Sequence, residues 1–344
     1  MSDYTPASDR YDRSPEWFRR CGESGIVLPA ISLGLWHNFG GPGTDAGGHD
    51  SEEAMHENCQ AMCFRAFDLG VTHFDLANNY GPPPGSAEER FGRILKDLPR
   101  EELVISTKAG FRMWPGPYGD HGSRKYLIQS LDQSLRRLGI DHVDIFYHHR
   151  PDPRTPLDET MSALESVVRQ GKAIYAAISN YPGERTGAAA AAMRARGGPQ
   201  LLIHQVAYSM LNRGPETDLF PVTHRERMGV ICFCPLAQGL LTSKYLDGVP
   251  EDSRARSKAG FLREDSIKPE LVAKLLKLNA IAEQRGQSLA QMALSWVLRD
   301  ARVTSALIGA SRVQQIEENV AAADAAPFSD DEIDQIDTIL AEDG

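Results

Sequence analysis

Short runs of β-branched and aromatic residues alternate along the chain with longer segments of helical periodicity. Residues 17–34 read as a hairpin turning at 22–25, then a strand ending near Leu33. Residues 51–69 repeat apolar or small side chains at Ala54, Cys59, Met62, Ala66 and Leu69, which predicts a helix. A strand at 71–74 precedes a helix at 86–98, with Ser86 as the expected N-cap and Glu89 completing a capping-box pattern. The alternation continues with strands at 103–107, 143–147, 173–178, 201–204, 230–233 and 305–308. Helices are predicted at 123–138, 156–170, 184–196, 217–228, 269–285, 288–299, 312–322 and 329–340. With the strand before Gly34 this makes eight strands, separated by helices and with no linker. The pattern predicts an α/β protein, a single (β/α)8 TIM barrel with an N-terminal β-hairpin and additional C-terminal helices. The barrel domain is expected over 16–344, after a polar tail at 1–15. A doubly wound sheet would show a GxGxxG turn after an early strand, and Gly34, Gly40, Gly41 and Gly43 do not match it.

Lys and Arg number 37 against 47 Asp and Glu, a net charge of −10, which argues against non-specific binding to nucleic acid or to an anionic membrane. No apolar run approaches the length of a membrane span. The five cysteines do not suggest a disulfide framework in a chain of 344 residues. Cys232 and Cys234 lack the flanking ligands of a zinc pattern and are expected to be buried strand thiols, while Cys59 and Cys63 share a helix face. The N-terminus carries Asp3, Asp9 and Asp12 and no apolar segment, so neither a secretory signal nor a basic transit peptide is expected, and the default setting is the reducing cytoplasm.

Barrel chemistry gathers at the C-terminal ends of strands. Asp75 ends the second predicted strand, Lys108 the third, His148 and His149 the fourth with Arg150 next, Ser179 and Asn180 the fifth, and His204 and Gln205 the sixth. Tyr80 follows Asp75 in a turn-rich loop and is placed to lean over the mouth. A tyrosine is a feeble acid near pKa ~10, and a neighbouring ammonium is expected to lower that value. Asp75 would hold Lys108 charged, and His149 would hydrogen-bond the reacting oxygen. Such a set can protonate a carbonyl oxygen while hydride attacks its carbon. No metal is needed, and no paired histidine motif follows the first strand. Two long loops, 39–50 and 235–268, are candidate lids, the second holding Lys244, Arg254, Arg256, Lys258 and Arg263.

The constellation Asp75, Tyr80, Lys108 and His149 resembles the catalytic tetrad of the aldo-keto reductases, and the resemblance spans nearly the whole chain. Arg150–Pro151 matches the dipeptide that follows the family's histidine, which favours His149 over His148. The stretches 34–40 (Gly-Leu-Trp-His-Asn-Phe-Gly) and 114–119 (Trp-Pro-Gly-Pro-Tyr-Gly) resemble the branch that contains the potassium-channel β subunits. The family resemblance implies NADP(H). It implies that Ser179, Asn180 and Gln205 bind the nicotinamide carboxamide, that Phe233 stacks on the ring, and that Trp36 and Asp75 also face the cofactor. Pro235, Leu236, Gln238, Gly239, Leu240 and Lys244 resemble the loop over the pyrophosphate. Gly309, Ser311 and Arg312 stand where relatives grip the 2′-phosphate, with Arg254 a further candidate there. Gln315, Glu318 and Asn319 share a helix face toward adenine, a spacing that a solvated face explains equally well.

The implied reaction is NADPH-dependent reduction of a small aldehyde, L-glyceraldehyde 3-phosphate foremost, with methylglyoxal or similar aldehydes beside it. Trp36, Trp114, Tyr118 and Arg150 are candidates to line a phosphate pocket, although Arg150 could instead bridge to Asp152. A slow-turnover NADP(H)-binding regulatory subunit, a Schiff-base aldolase through Lys108 and a purely structural module are the competing functions. Relatives of this branch form tetramers or octamers, which implies a homo-oligomer.

Overall fold

The computed structural model describes residues 4–43, 48–246 and 267–342. Eight parallel strands close into a barrel: β3 (Ile31–Gly34), β4 (His73–Asp75), β5 (Val104–Ala109), β6 (Val143–His148), β7 (Ala173–Ser179), β8 (Ile203–Ala207), β9 (Gly229–Phe233) and β10 (Ser305–Ile308). They pair in chain order, and β10 closes the ring by pairing with β3. The hairpin β1 (Phe18–Arg20) and β2 (Val27–Pro29) is a separate antiparallel sheet. It covers the N-terminal end of the barrel, where Cys21 Sγ donates to the Leu202 carbonyl. The predicted barrel and hairpin are thus both present.

Helices form the outer layer. α1 (Glu52–Asp68) follows β3, with Ser51 Oγ accepting from the Ala54 amide. α2 (Ser86–Ile94) and α3 (Arg124–Leu138) follow β4 and β5. α4 (Leu157–Arg169) and α5 (Gly183–Ala195) follow β6 and β7, and the short pair α6 (Pro215–Asp218) and α7 (Phe220–Arg225) follows β8. α8 (Pro269–Gln284) and α9 (Leu289–Leu298) lie between β9 and β10, and α10 (Val313–Val320) and α11 (Asp330–Ala341) complete the chain. α9 and α11 begin with full capping boxes, Ser288 with Gln291 and Ser329 with Glu332.

Two local expectations change. Ser86 is the first residue of α2 and not its cap: its hydroxyl donates to the Pro83 carbonyl, and Gly85 takes the cap position at φ +94°, a left-handed conformation suited to glycine. The helix expected at 217–228 is divided, because Pro221 offers no amide to carry α6 through into α7. Within the N-terminal stretch, described residues contact the outer layer of the barrel. Tyr4 stacks on Phe64 with ring centroids 3.8 Å apart, and Arg10 pairs with Glu102 at 2.6 Å.

Core packing is dense where helices meet. A Cβ on Gly92 of α2 would lie 2.6 Å from the Arg137 carbonyl oxygen and 2.7 Å from that of Leu138 at the end of α3. Backbone cannot rotate away as a side-chain tip can. Gly92→Ala is therefore expected to destabilise the fold by about 2 kcal/mol, read as a lower urea midpoint.

Candidate active site

Strand register builds the site. Asp75 is the last residue of β4 and lies opposite Ser106 on β5; two residues on, Lys108 lies opposite Tyr147 on β6. Period-2 alternation puts Ser106 and Lys108 on the same face of β5. Asp75 and Lys108 are fully buried, and the Lys108 ammonium donates to Asp75 Oδ2 at 2.5 Å and to the Leu76 carbonyl at 2.6 Å. Asp75 Oδ1 accepts from Ser106 Oγ at 2.6 Å and from Gln205 Nε2 at 3.1 Å. Burial pushes the Lys108 pKa down, and the adjacent Asp75 charge opposes that shift.

Tyr80 closes over this pair. Its ring centroid is 4.9 Å from Lys108 Nζ and 5.8 Å from the His149 ring, and Trp36 flanks it at 6.3 Å. The net shift of the Tyr80 pKa is upward, not downward as expected. Burial holds the phenol well above its ordinary value, with the Asp75 charge and Cys234 adding to the effect. Lys108 still favours the phenolate, but Asp75 offsets its charge at close range and desolvation outweighs what is left. Tyr80 therefore keeps its proton across neutral pH.

The two strand-end histidines diverge. His148 packs outward, its Nδ1 2.6 Å from the Tyr181 hydroxyl, whereas His149 sits edge-on to Phe111 at 4.7 Å and beside Tyr80. Burial first, then the charges of Lys108 and Arg150, hold the His149 pKa well below its ordinary value. The ring at the mouth is a neutral imidazole. Burial also pushes His73, His148 and His204 down to about 4. These histidines stay neutral when folded and take protons when unfolded. Their contribution is present above pH ~6.5 and is lost as pH falls toward 4, so denaturation midpoints are expected to drop across that window.

Several of the other expected residues stand at or just past strand ends, and the rest lie on the segments that follow. Ser179 and Gln205 pair in register on β7 and β8 and are both buried. Asn180 has φ +61° and donates to Ser179 Oγ and the His149 carbonyl. Half-buried Phe233 ends β9. Beyond it, Pro235, Leu236, Gln238, Gly239 and Leu240 form a tight turn in which Ala237, Gln238 and Gly239 all have positive φ. Lys244 lies in the next turn, capped by Thr242. Gly309 and Arg312 are exposed at the start of α10, while the Ser311 amide and hydroxyl donate to Gln315 Oε1 at 2.9 and 3.3 Å. Glu318 is exposed and Asn319 is buried. Arg254, with Arg256, Lys258 and Arg263, lies outside the described residues.

Two side chains differ from expectation. Arg150 does not bridge to Asp152: it donates to Asp120 at 2.9 Å and to the Gly110 carbonyl at 2.7 Å, over the Phe111 ring. Asp152 instead accepts from the Gly122 and Arg154 amides and the Thr155 hydroxyl. Cys232 is a buried strand thiol, but Cys234 lies just past β9, exposed and at φ +52°. Sequence reasoning passed over Ser106, which bonds Asp75 directly, and Phe111 and Asp120, which frame His149 and Arg150.

A buried ammonium–carboxylate pair beneath a protonated phenol, with a neutral imidazole alongside, is suited to delivering a proton to a carbonyl oxygen. The model of the aldo/keto reductase family matches residues 30–341. The chain belongs to the aldo/keto reductase family. It is an oxidoreductase that acts on aldehydes. It is 53% identical over 334 residues to L-glyceraldehyde 3-phosphate reductase of Escherichia coli K12, covering 94% of this chain and 92% of the relative. It is also 36% identical over 318 residues to a probable voltage-gated potassium channel subunit beta of Arabidopsis thaliana, covering 90% and 92%. A putative channel subunit beta of Schizosaccharomyces pombe is 35% identical, covering 89% and 88%. Among the described residues no helix is long and apolar enough to cross a membrane.

Proposed function

We propose that this aldo/keto reductase is an NADPH-dependent reductase of L-glyceraldehyde 3-phosphate that also accepts methylglyoxal and similar small aldehydes. The reading is carried by the Asp75–Lys108 pair beneath Tyr80. It is supported by 53% identity over almost the full chain to a reductase named for that substrate. The donor set fits a nicotinamide cofactor. Ser179, Asn180 and Gln205 offer hydroxyl and amide groups for a carboxamide, and Phe233 an aromatic face. The turn from Pro235 to Leu240 with Lys244, and Ser311 with Arg312 at the start of α10, supply amides and cations for phosphates. When bound, the reduced nicotinamide supplies the hydride.

This chain's residues manage the proton. His149, as a neutral imidazole, orients the carbonyl oxygen toward Tyr80. Tyr80 gives up its hydroxyl proton as charge develops on that oxygen, and Lys108, held by Asp75, stabilises the phenolate left behind. The balance is RCHO + NADPH + H⁺ → RCH₂OH + NADP⁺. Trp36, Trp114, Tyr118 and Arg150 lie on the loops beside the mouth, where a substrate phosphate would compete with Asp120 for the Arg150 guanidinium. We assign the enzyme to the cytoplasm as a homo-oligomer, tetramer or octamer.

Similarity to channel β subunits favours a second reading, a slow regulatory NADP(H) sensor. Steady-state NADPH oxidation with L-glyceraldehyde 3-phosphate, its D-isomer and methylglyoxal separates the two. A strong preference for the L-phosphate supports the specific reductase. Turnover of methylglyoxal alone leaves a broad aldehyde reductase, and no turnover with retained NADPH moves the assignment to the sensor.

A further inference from the structure

Below the site, the barrel interior carries a line of polar side chains that the chemistry above does not use. Ser305 on β10, Ser32 on β3, His73 on β4 and Ser106 on β5 are all fully buried. They join end to end. Ser305 Oγ lies 2.6 Å from Ser32 Oγ, and Ser32 Oγ lies 2.9 Å from His73 Nδ1. His73 Nε2 lies 3.0 Å from Ser106 Oγ, which donates to Asp75 Oδ1 at 2.6 Å. Among the described residues, the far end meets only the Ala30 carbonyl, at 3.4 Å from Ser305 Oγ.

Each serine has one hydroxyl proton, and a neutral imidazole has one N–H. The protons can therefore all point toward Asp75 or all point toward Ala30. The first direction ends on a carboxylate at 2.6 Å, the second on a neutral carbonyl at 3.4 Å. A hydrogen bond to an ionised acceptor is the shorter and stronger kind, so the direction toward Asp75 wins. It requires His73 to be neutral, with its proton on Nε2 and with Nδ1 accepting from Ser32. Burial keeps the imidazole neutral, the Lys108 charge acts in the same sense, and Asp75 opposes both.

We infer that Ser305, Ser32, His73 and Ser106 form a one-way hydrogen-bond chain that aims the Ser106 proton at Asp75, making His73 a positioning residue for the Asp75–Lys108 pair. Reversed, the chain would give the Ser106 proton to His73 and turn an oxygen lone pair on Asp75 Oδ1. The carboxylate would lose a donor and the geometry that fixes Oδ2 on Lys108. The effect on turnover rests on the reductase reading above; the proton arrangement does not.

The direct test is long-range ¹⁵N–¹H NMR of the histidine side chains in the full chain at neutral pH, with His73 assigned by its loss in His73→Gln. A neutral Nε2–H tautomer is expected; an Nδ1–H tautomer, or a mixture of the two, overturns the inference. The functional test compares His73→Leu with His73→Gln, whose amide can donate where Nε2 does. His73→Leu is expected to lower kcat about tenfold while the aldehyde KM and NADPH affinity stay within about twofold, and His73→Gln to return kcat to within about threefold of wild type. Equal losses in both variants, or a loss confined to KM, overturn it. If either variant fails to fold, the wild-type tautomer still decides. If wild type does not oxidise NADPH, the reductase reading fails and the tautomer measurement stands.

Discussion

Tyr80→Phe is expected to lower kcat for aldehyde reduction by about 10³-fold, with NADPH affinity within a few-fold of wild type. The phenyl ring keeps the packing between Trp36 and His149, whose ring centroids lie 6.3 and 5.8 Å from Tyr80. Only the hydroxyl is lost. Among the described residues His149 is the nearest alternative at the mouth, and burial and neighbouring cations keep its pKa well below its ordinary value, so it is a neutral imidazole and not an acid. Lys108 is directed at Asp75 and the Leu76 carbonyl. Steady-state rates alongside an NADPH fluorescence titration check this. Equal damage to turnover and cofactor binding would mean that Tyr80 is a packing residue.

Lys108→Met is expected to cost about 3–5 kcal/mol of stability as well as turnover, because it strands a buried carboxylate. Asp75 and Lys108 are both fully buried, so water cannot take over from the missing ammonium. Ser106 and Gln205 still donate to Oδ1, but Oδ2 loses its cation. Asp75→Asn combined with Lys108→Met removes both charges and is expected to recover most of the loss. A double-mutant cycle by urea denaturation measures the coupling. Additive effects would contradict a tightly coupled buried pair.

Much of the fold was legible in the alternation of strand and helix, since each parallel strand needs a crossover and each crossover here carries helical periodicity. The ends of strands were informative for a related reason. Asp75 and Lys108 interrupt apolar runs, and a buried charge needs a partner nearby. Their supports were harder to see. His73 and Ser106 each stand two residues before a charged member of the pair, hence on the same strand face, but a serine within a strand announces nothing until the register is known. Phe111 and Asp120 come from a loop whose course no periodicity dictates. The direction of the Tyr80 shift was not legible, because a sequence indicates which charges are neighbours but not how much water the fold removes. The division of the 217–228 segment was legible in principle, at Pro221.

Hydride from the reduced cofactor is expected to reach the aldehyde carbon in this mouth. Single-turnover reduction of L-glyceraldehyde 3-phosphate with NADPH deuterated at the reactive ring carbon, followed by mass spectrometry of the product, tests it most directly. One deuterium is expected on the carbon that was the aldehyde. A reduced product carrying only solvent hydrogen there, or no reduced product, would rule out hydride transfer from the cofactor.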